Sequence, residues 1–419
     1  MGESSEWTVT KRVAALRARR NELAAASGGR LEARAARALD GFARLWQIRL
    51  ASEWTPPADE GTFGEESSGF PWAMVRVSLA GLVSGTPCSE GLESLGTRLS
   101  LVAQVLAGNT PLLAWPGLWA ALLAGSAVFV KKSSRSETLW LRLFVDALAD
   151  VDAGLAALVH LDGWPGDDAR TAELVQAADA VVAYGNDASV AALHALTPPG
   201  TPFFGFGHAL SVGLVLANAD RDDAAAGFAR DVLLYDQGGC LSPQAVFVEG
   251  DGKPALAFGE ALAFGEALAR ALPGAAGALG VTPSGDAARA ARVRRARDLA
   301  LFTPGARLLT PGGDDLRWTV IVHEPDGAEQ AMDPPTGHGV VSVLPLANVA
   351  SGFGPALGAA RGRLSSVGVA GTPPPNVEAA IWAEGVSRIC KPGDMQSPPL
   401  DWPNGGRDLF RELPRRGGV

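Results

Sequence analysis

LSLVAQVLAGNTPLLAWPGLWAALLAGSAVFVKKSS, Leu99 to Ser134, is the stretch that sets the architecture of this chain. Leu99 to Asn109 is a buried-strand run ending in a Gly-Asn turn. Pro111 to Gly125 reads as a helix packed on both sides and stopped at Gly125. Ser126 to Ser134 is a second strand with a basic, polar end. The rhythm continues downstream. SETLWLRLFVDALADV, Ser136 to Val151, is a helix opened by Ser and Glu. LAALVHL, Leu155 to Leu161, is a short apolar run, and a helix follows near Asp168 to Asp179. AVVAYGN, Ala180 to Asn186, is a strand closed again by Gly-Asn, and DASVAALHAL, Asp187 to Leu196, is a helix. Strands alternating with helices build a parallel sheet covered by helices, so the fold class is α/β. Ligands of such sheets sit at the carboxyl ends of the strands. Those ends are Gly108-Asn109, Lys131 to Ser134 and Gly185-Asn186.

Upstream, Thr8 to Leu50 reads as two helices broken at Ala25 to Gly29, with the arginines forming a solvated face. Downstream, Pro202 to Asp220 reads as a Gly-rich turn holding His208, then an apolar strand. Ala224 to Asp236 is a helix, and YDQGGCLSPQ, Tyr235 to Gln244, follows it. This loop carries Cys240, one of three cysteines, with Gly238 and Gly239 leaving room beside the thiol. The run AVFV, Ala245 to Val248, is a buried strand. A loop held between rigid elements is where reactive side chains are usually presented. Cys240 is equally a residue type that packs as a small buried apolar group. Helices fill Ala255 to Leu272 and Ala287 to Leu299, and strands are expected at Trp318 to Glu324 and Gly339 to Leu346. Gly385 to Phe410 is a Gly/Pro-rich tail whose Ile389, Met395 and Trp402 must dock.

The chain has 419 residues, longer than one core usually serves, so two domains are expected. A net charge of -9 argues against a general nucleic-acid binder. Three cysteines give neither a disulfide framework nor a metal spacing, which points to a reducing, cytoplasmic setting. The opening MGESSEWTVTKR has no signal-peptide core, and no apolar run suits a membrane span. No zinc or phosphate-loop pattern appears, so no metal is expected.

YDQGGCLSPQ, HALSVGLV, LAGNTP, VFVKKSS and RICKPGDMQSPPLDWPNGG, taken in order, resemble the acyl-CoA reductase family typified by the fatty-acid reductase of bacterial luminescence (LuxC-type). That family is similar to the aldehyde dehydrogenase superfamily, and the resemblance runs from about Leu99 onward. It implies an aldehyde dehydrogenase-like fold, with a Rossmann-like cofactor domain and an α/β catalytic domain. The expected division is 1–207 for N-terminal helices and cofactor domain, 208–385 for the thiol domain, and 386–419 for a tail docking back on the cofactor domain. By the same resemblance Cys240 matches the nucleophile and Asn109 the oxyanion-holding asparagine. Lys131 matches the lysine at the cofactor's adenosine ribose, and Gly185 and Asn186 the glycine turn near the cofactor. Aldehyde dehydrogenases carry a glutamate base at the turn opening the catalytic domain. Here that turn is GFGHALS, without a carboxylate, so hydrolysis of an acyl-enzyme lacks its base. Reduction of a thioester needs no such step.

Cys240 would act as thiolate, which calls for a lowered pKa. His208 is the candidate base or acid beside it, or else a histidine hydrogen-bonded at a turn. Asn109 has a second reading as a turn residue at positive φ. Ser134 flanked by Lys131, Lys132 and Arg135 suits a 2′-phosphate, so NADPH is the expected cofactor; the bland reading of Lys132 and Arg135 is a solvated strand end. His160, His194, His323 and His338 read as structural or exposed, and Cys390 as a packed apolar residue. The expectation is an NADPH-dependent reductase of an acyl-CoA or acyl carrier protein thioester, forming an aldehyde. A partner enzyme and a homo-oligomer fit the same resemblance. The rivals are an aldehyde dehydrogenase and a catalytically idle scaffold.

Overall fold

The computed structural model describes residues 8–57, 70–84, 99–108, 110–133, 139–250, 252–325 and 336–415. Contacts divide the chain into two compact units, Met1–His208 with Pro399–Val419, and Ala209–Pro398.

In the first unit α1 (Val9–Ala26) and α2 (Leu31–Ala51) come first, and Thr8 caps α1 by accepting from the Lys11 N–H. The helix α3 (Trp72–Ser84) was not foreseen from the sequence. Then follow β1 (Leu101–Val105), α4 (Trp115–Leu123), β2 (Ala127–Lys132), α5 (Leu139–Ala156), β3 (Val159–Gly163), α6 (Arg170–Ala177), β4 (Ala180–Tyr184), α7 (Asp187–Leu196) and β5 (Phe203–Phe206). The strands pair in the order β3-β2-β1-β4-β5, all parallel. Strand order reverses between β1 and β4, and the crevice outside their carboxyl ends is where such sheets take a ligand.

Helix α1 lies on α6, β1 and β2, whereas α2 packs on α4 and α5. A fully buried aromatic cluster locks the second group: Phe42 and Trp46 of α2 meet Trp115 and Trp119 of α4 and Phe144 of α5. Burying each such ring is worth roughly 1.5–3 kcal/mol before entropy is counted. Two α1 arginines do not form the solvated face expected of them. Arg17 donates to Asp179 and to the Ala177 carbonyl, both at 2.8 Å, and Arg20 donates to the Gly125 carbonyl at 2.8 Å. Asp179 also accepts from the Ser100 and Leu101 N–H groups, so one carboxylate staples α1 to the start of β1. The Pro202 stretch differs too. Phe203–Phe206 is a strand, not a turn, because Phe206 pairs with Tyr184 and stacks on it at 4.8 Å.

The second unit contains β6 (Leu210–Val215), α8 (Arg221–Leu233), β7 (Pro243–Glu249), α9 (Pro254–Leu279), α10 (Ala287–Phe302), β8 (Arg307–Leu309), β9 (Thr319–Val322), β10 (Val340–Leu346), α11 (Val349–Ala356), β11 (Leu364–Ala370), α12 (Pro375–Trp382) and β12 (Arg388–Cys390). Its sheet runs β12-β11-β6-β7-β10-β9-β8, parallel except for the edge strand β8. The near-duplicated ALAFGEALAFGEAL lies in the single helix α9, which ends on Gly280 in the left-handed region (φ 69°). Helix α9 packs on α8, β7, β9 and β10, while Val349, Phe353, Val377 and Ile381 of α11 and α12 share a core with β6, β10 and β11.

The stretch expected as a tail from residue 386 divides here. Strand β12, with Ile389, extends the second sheet by pairing with β11, and Met395 is fully buried in the same unit. Residues from Pro399, Trp402 included, belong to the first unit, where the last helix, Leu409–Arg415, packs on α4.

Candidate active site

The loop around Cys240 begins with an unusual backbone. Tyr235, Asp236 and Gln237 follow one another in the left-handed region, at φ of 55°, 52° and 57°. Each such residue costs roughly 1–2 kcal/mol when it is not glycine, so the surroundings must hold it. Tyr235 and Gln237 are buried. The Gly238 N–H donates back to the Tyr235 carbonyl at 2.8 Å, and the Gln237 amide donates to the Pro243 carbonyl at 2.8 Å. Asp236 points its carboxylate at the side chains of Arg289 and His338. Arg289 of α10 donates from Nε and Nη2 at 3.0–3.2 Å, and His338 Nδ1 lies 2.5 Å from Oδ2. Burial works against the charged carboxylate, but the hydrogen bonds from His338 and Arg289 outweigh it and hold Asp236 below the usual range.

Cys240 itself is half-buried. Its carbonyl accepts from Ser211 Oγ of β6 at 2.6 Å, and that hydroxyl is 2.9 Å from Ser366 Oγ of β11. Ser242 and Gln244 continue the wiring, because Gln396 Nε2 donates to Ser242 Oγ at 2.6 Å and the Gln244 amide donates to the Gln237 carbonyl at 3.3 Å. Polar residues on β6, β7, β11 and the 391–397 segment therefore fix one short loop. Burial pushes the Cys240 thiol up, and the neighbouring Ser365 hydroxyl offsets only part of that. The thiol is thus not held as a thiolate in this state, contrary to the lowered pKa that a nucleophile calls for.

One turn before the loop, the carboxyl of Asp231 on α8 is fully buried and accepts the Gly393 N–H at 2.5 Å. Burial pushes it up to about 7, against the pull of the Gly393 N–H, the Arg230 charge and the Met395 N–H. Gly227, one turn earlier, lies against Pro392, where a Cβ would come within 2.6 Å of the carbonyl carbon. Cys390 is pushed up to about 12 by burial. His323 is held down to about 4 by burial, with Nε2 3.2 Å from Ser342 Oγ.

In the first unit, Lys131 is the last residue but one of β2 and is only 5% exposed. Burial lowers its pKa, and Asp168 partly opposes the effect. No described residue hydrogen-bonds its ammonium. Asp168 is itself held down to about 2 by Arg170, which grips both its oxygens. Gly185 and Asn186 follow β4, and Asn186 caps α7 by accepting the Ser189 N–H at 2.8 Å. His208 follows β5 and is exposed, with its N–H donating to Asp187 Oδ1 at 2.8 Å. So the Gly185-Asn186 turn and His208 meet through Asp187. Asn109, Ser134 and Arg135 lie outside the described residues.

Sequence reasoning missed Asp236, Arg289 and His338. The one available signal was His338 between two glycines, since histidine is among the few residues enriched at positive φ, here 59°.

Residues 94–415 match the family model described as acyl-CoA reductase (LuxC). A long-chain acyl-protein thioester reductase of Aliivibrio fischeri is 31% identical over 154 residues, 36% of this chain and 32% of that protein. An acylating sulfoacetaldehyde dehydrogenase of Cupriavidus necator is 31% identical over 164 residues, 38% of this chain and 32% of its own length. The match therefore spans about a third of these curated relatives. Among solved structures, an NAD-dependent benzaldehyde dehydrogenase of Corynebacterium glutamicum superposes with a TM-score of 0.68 over 96% of this chain and 88% of that one, at 16% identity. A glyceraldehyde-3-phosphate dehydrogenase of Methanocaldococcus jannaschii complexed with NADP gives 0.65 over 91% and 85%, at 11% identity. The fold is that of aldehyde dehydrogenases.

Proposed function

We propose that this chain, which belongs to the acyl-CoA reductase (LuxC) family, reduces a long-chain acyl thioester to an aldehyde through an acyl-cysteine at Cys240. The observation that carries this reading is the Cys240 loop, whose backbone and neighbours are fixed by hydrogen bonds from three strands and the 391–397 segment. Cys240 Sγ takes the acyl group and the carrier thiol leaves with a proton. The thiol rests protonated, so a base must receive its proton as the thioester arrives, and His208 is the candidate. Asn109 would hold the oxyanion, a contact worth roughly a hundredfold or more in rate.

NADPH, when bound, supplies the hydride. Lys131 supports its placement: a lysine only 5% exposed, whose ammonium has no hydrogen-bond partner among the described residues, fits a ribose or phosphate oxygen. The carboxylates nearest that strand end are engaged elsewhere, Asp168 by Arg170 and Asp162 by the Gly163 N–H. Cations with no free carboxylate beside them among the described residues favour a 2′-phosphate, with Ser134 as a further partner, and Gly185-Asn186 would pass beside the cofactor. The raised thiol is the observation that favours the second reading, a catalytically idle scaffold.

Mass spectrometry after brief exposure to palmitoyl-CoA or palmitoyl acyl carrier protein, with and without NADPH or NADH, separates these readings. The expected result is an adduct on Cys240 that is absent in Cys240→Ser and is discharged as aldehyde by NADPH faster than by NADH. An adduct that water alone discharges would favour an aldehyde dehydrogenase, and no adduct with either thioester would favour the scaffold.

A further inference from the structure

Among the described residues four non-glycine residues have positive φ, and all four belong to one device: Tyr235, Asp236, Gln237 and His338. His338 grips Asp236 twice, by its ring at Oδ2 (2.5 Å) and by its N–H at the backbone carbonyl (3.0 Å). Arg289 grips the same carboxylate through Nε and Nη2, and it reaches the Leu316 carbonyl with Nη1 (3.2 Å) and the His338 carbonyl with Nη2 as well (3.4 Å). The cluster ties together α10, the entry to β10 and the entry to β7, the last two being neighbours in the sheet. Strain concentrated in one place persists only where the surroundings enforce it, and it points to a geometry worth keeping.

We propose that Asp236, Arg289 and His338 are positioning residues that hold the left-handed turn and thereby set where Cys240 presents its thiol. This rests on reading Cys240 as the reactive thiol. They act through the backbone: Asp236 stands four residues before Cys240 at the far end of the Gly238-Gly239 link. Released from the brace, the turn relaxes toward ordinary φ. The thiol then leaves its half-buried seat against Ser365, becoming more open to solvent and less well aimed at an acyl carbonyl.

The test compares full-length wild type, His338→Ala and His338→Asn. Asparagine keeps an N–H for the Asp236 carboxylate and tolerates positive φ. Three quantities are read: the iodoacetamide alkylation rate at Cys240 by peptide mapping, kcat and KM with palmitoyl-CoA and NADPH, and the melting temperature. In His338→Ala we expect alkylation to rise about threefold or more as the thiol loses its burial. We expect kcat to fall roughly 10–100-fold with KM little changed, as misplacement alone can do. His338→Asn should recover most of both. Arg289→Lys, which keeps the charge and loses the fork, carries the same comparison if His338→Ala does not fold. Unchanged alkylation in the folded alanine or lysine variant overturns the proposal. So does an asparagine variant as impaired as alanine, since the imidazole would then act by its own proton chemistry. Alkylation needs no acyl substrate, so a wild type that turns over no thioester sinks the functional reading while the alkylation contrast still decides the brace.

Discussion

Asp231, on the helix before the thiol loop, and Asp236, within the left-handed turn five residues on, solve the same problem in opposite ways. Both fasten a distant segment to the α8 end of the second unit. Asp231 is fully buried and receives a main-chain N–H, with its Oδ1 left without a partner, so burial dominates and the carboxyl rises to about 7. Asp236 also loses water, but it gains Arg289 and His338, and its pKa moves down instead. Burial alone therefore does not decide how a carboxylate titrates; the partner does. The pH windows follow. Asp236 is depressed in the fold, so its contribution to stability is present above the ordinary carboxylate pKa and is lost as pH falls below it. Asp231 is raised, so its contribution is full below the ordinary value and is lost as pH rises through about 7.

The charged clamp should break hardest. Arg289→Met keeps most of the volume and removes the fork that Asp236 and two carbonyls rely on. Breaking a fully buried pair costs about 3–5 kcal/mol. Because the Asp236 side chain is 37% exposed and keeps His338, we expect roughly 2–3 kcal/mol by urea unfolding at pH 7. A loss under about 0.5 kcal/mol, the scatter of ordinary surface changes, would mean the fork holds nothing. The main-chain clamp is attacked through its fit. In Gly227→Ala the new Cβ meets backbone and ring atoms of Pro392 at 2.6–2.7 Å, and overpacking of this kind costs about 1–3 kcal/mol. Melting of this variant should fall at pH 5 and pH 8 alike, because sterics do not titrate. A melt equal to wild type would show that the 391–397 segment moves aside freely.

The fold was more legible than the site because periodicity reports on burial. The run from Leu101 to Lys132 alternates strand and helix so plainly that β1, α4 and β2 fall close to where apolar spacing puts them. The errors came where tertiary contact overrides local pattern. Phe203–Phe206 looked like a glycine turn until Phe206 found Tyr184 across the sheet. Arg17 looked solvated until Asp179, more than 160 residues away, supplied its partner. At the site, Cys240 stood out because Gly-Gly-Cys between rigid elements is a local signal. Its brace did not, since Asp236, Arg289 and His338 are separated by 53 and 102 residues from one another's contacts. No spacing rule links them, and left-handed φ at Tyr235 and Gln237 has no mark in the residue types.

The smallest expected effect is the sharpest for the comparison. Asp231→Asn keeps the shape and an oxygen for the Gly393 N–H but is neutral at every pH. The wild-type carboxyl must ionise inside the protein as pH rises through about 7, whereas in the unfolded chain it has long been ionised. Wild-type stability should therefore slope downward between about pH 4 and pH 8 by this group's share, and the asparagine variant should lack that share. Near pH 5 the two should lie close, with the variant slightly weaker because its amide N–H faces the place where Oδ1 has no partner. Near pH 8 the variant should be the more stable, by roughly 1–2 kcal/mol, since water entry and local relaxation soften a buried charge below its ideal cost. Urea unfolding at the two pH values reads the crossing directly. Parallel stability–pH curves would mean that Asp231 ionises as easily as an exposed carboxyl, and that main-chain N–H groups can do for it what Arg289 and His338 do for Asp236.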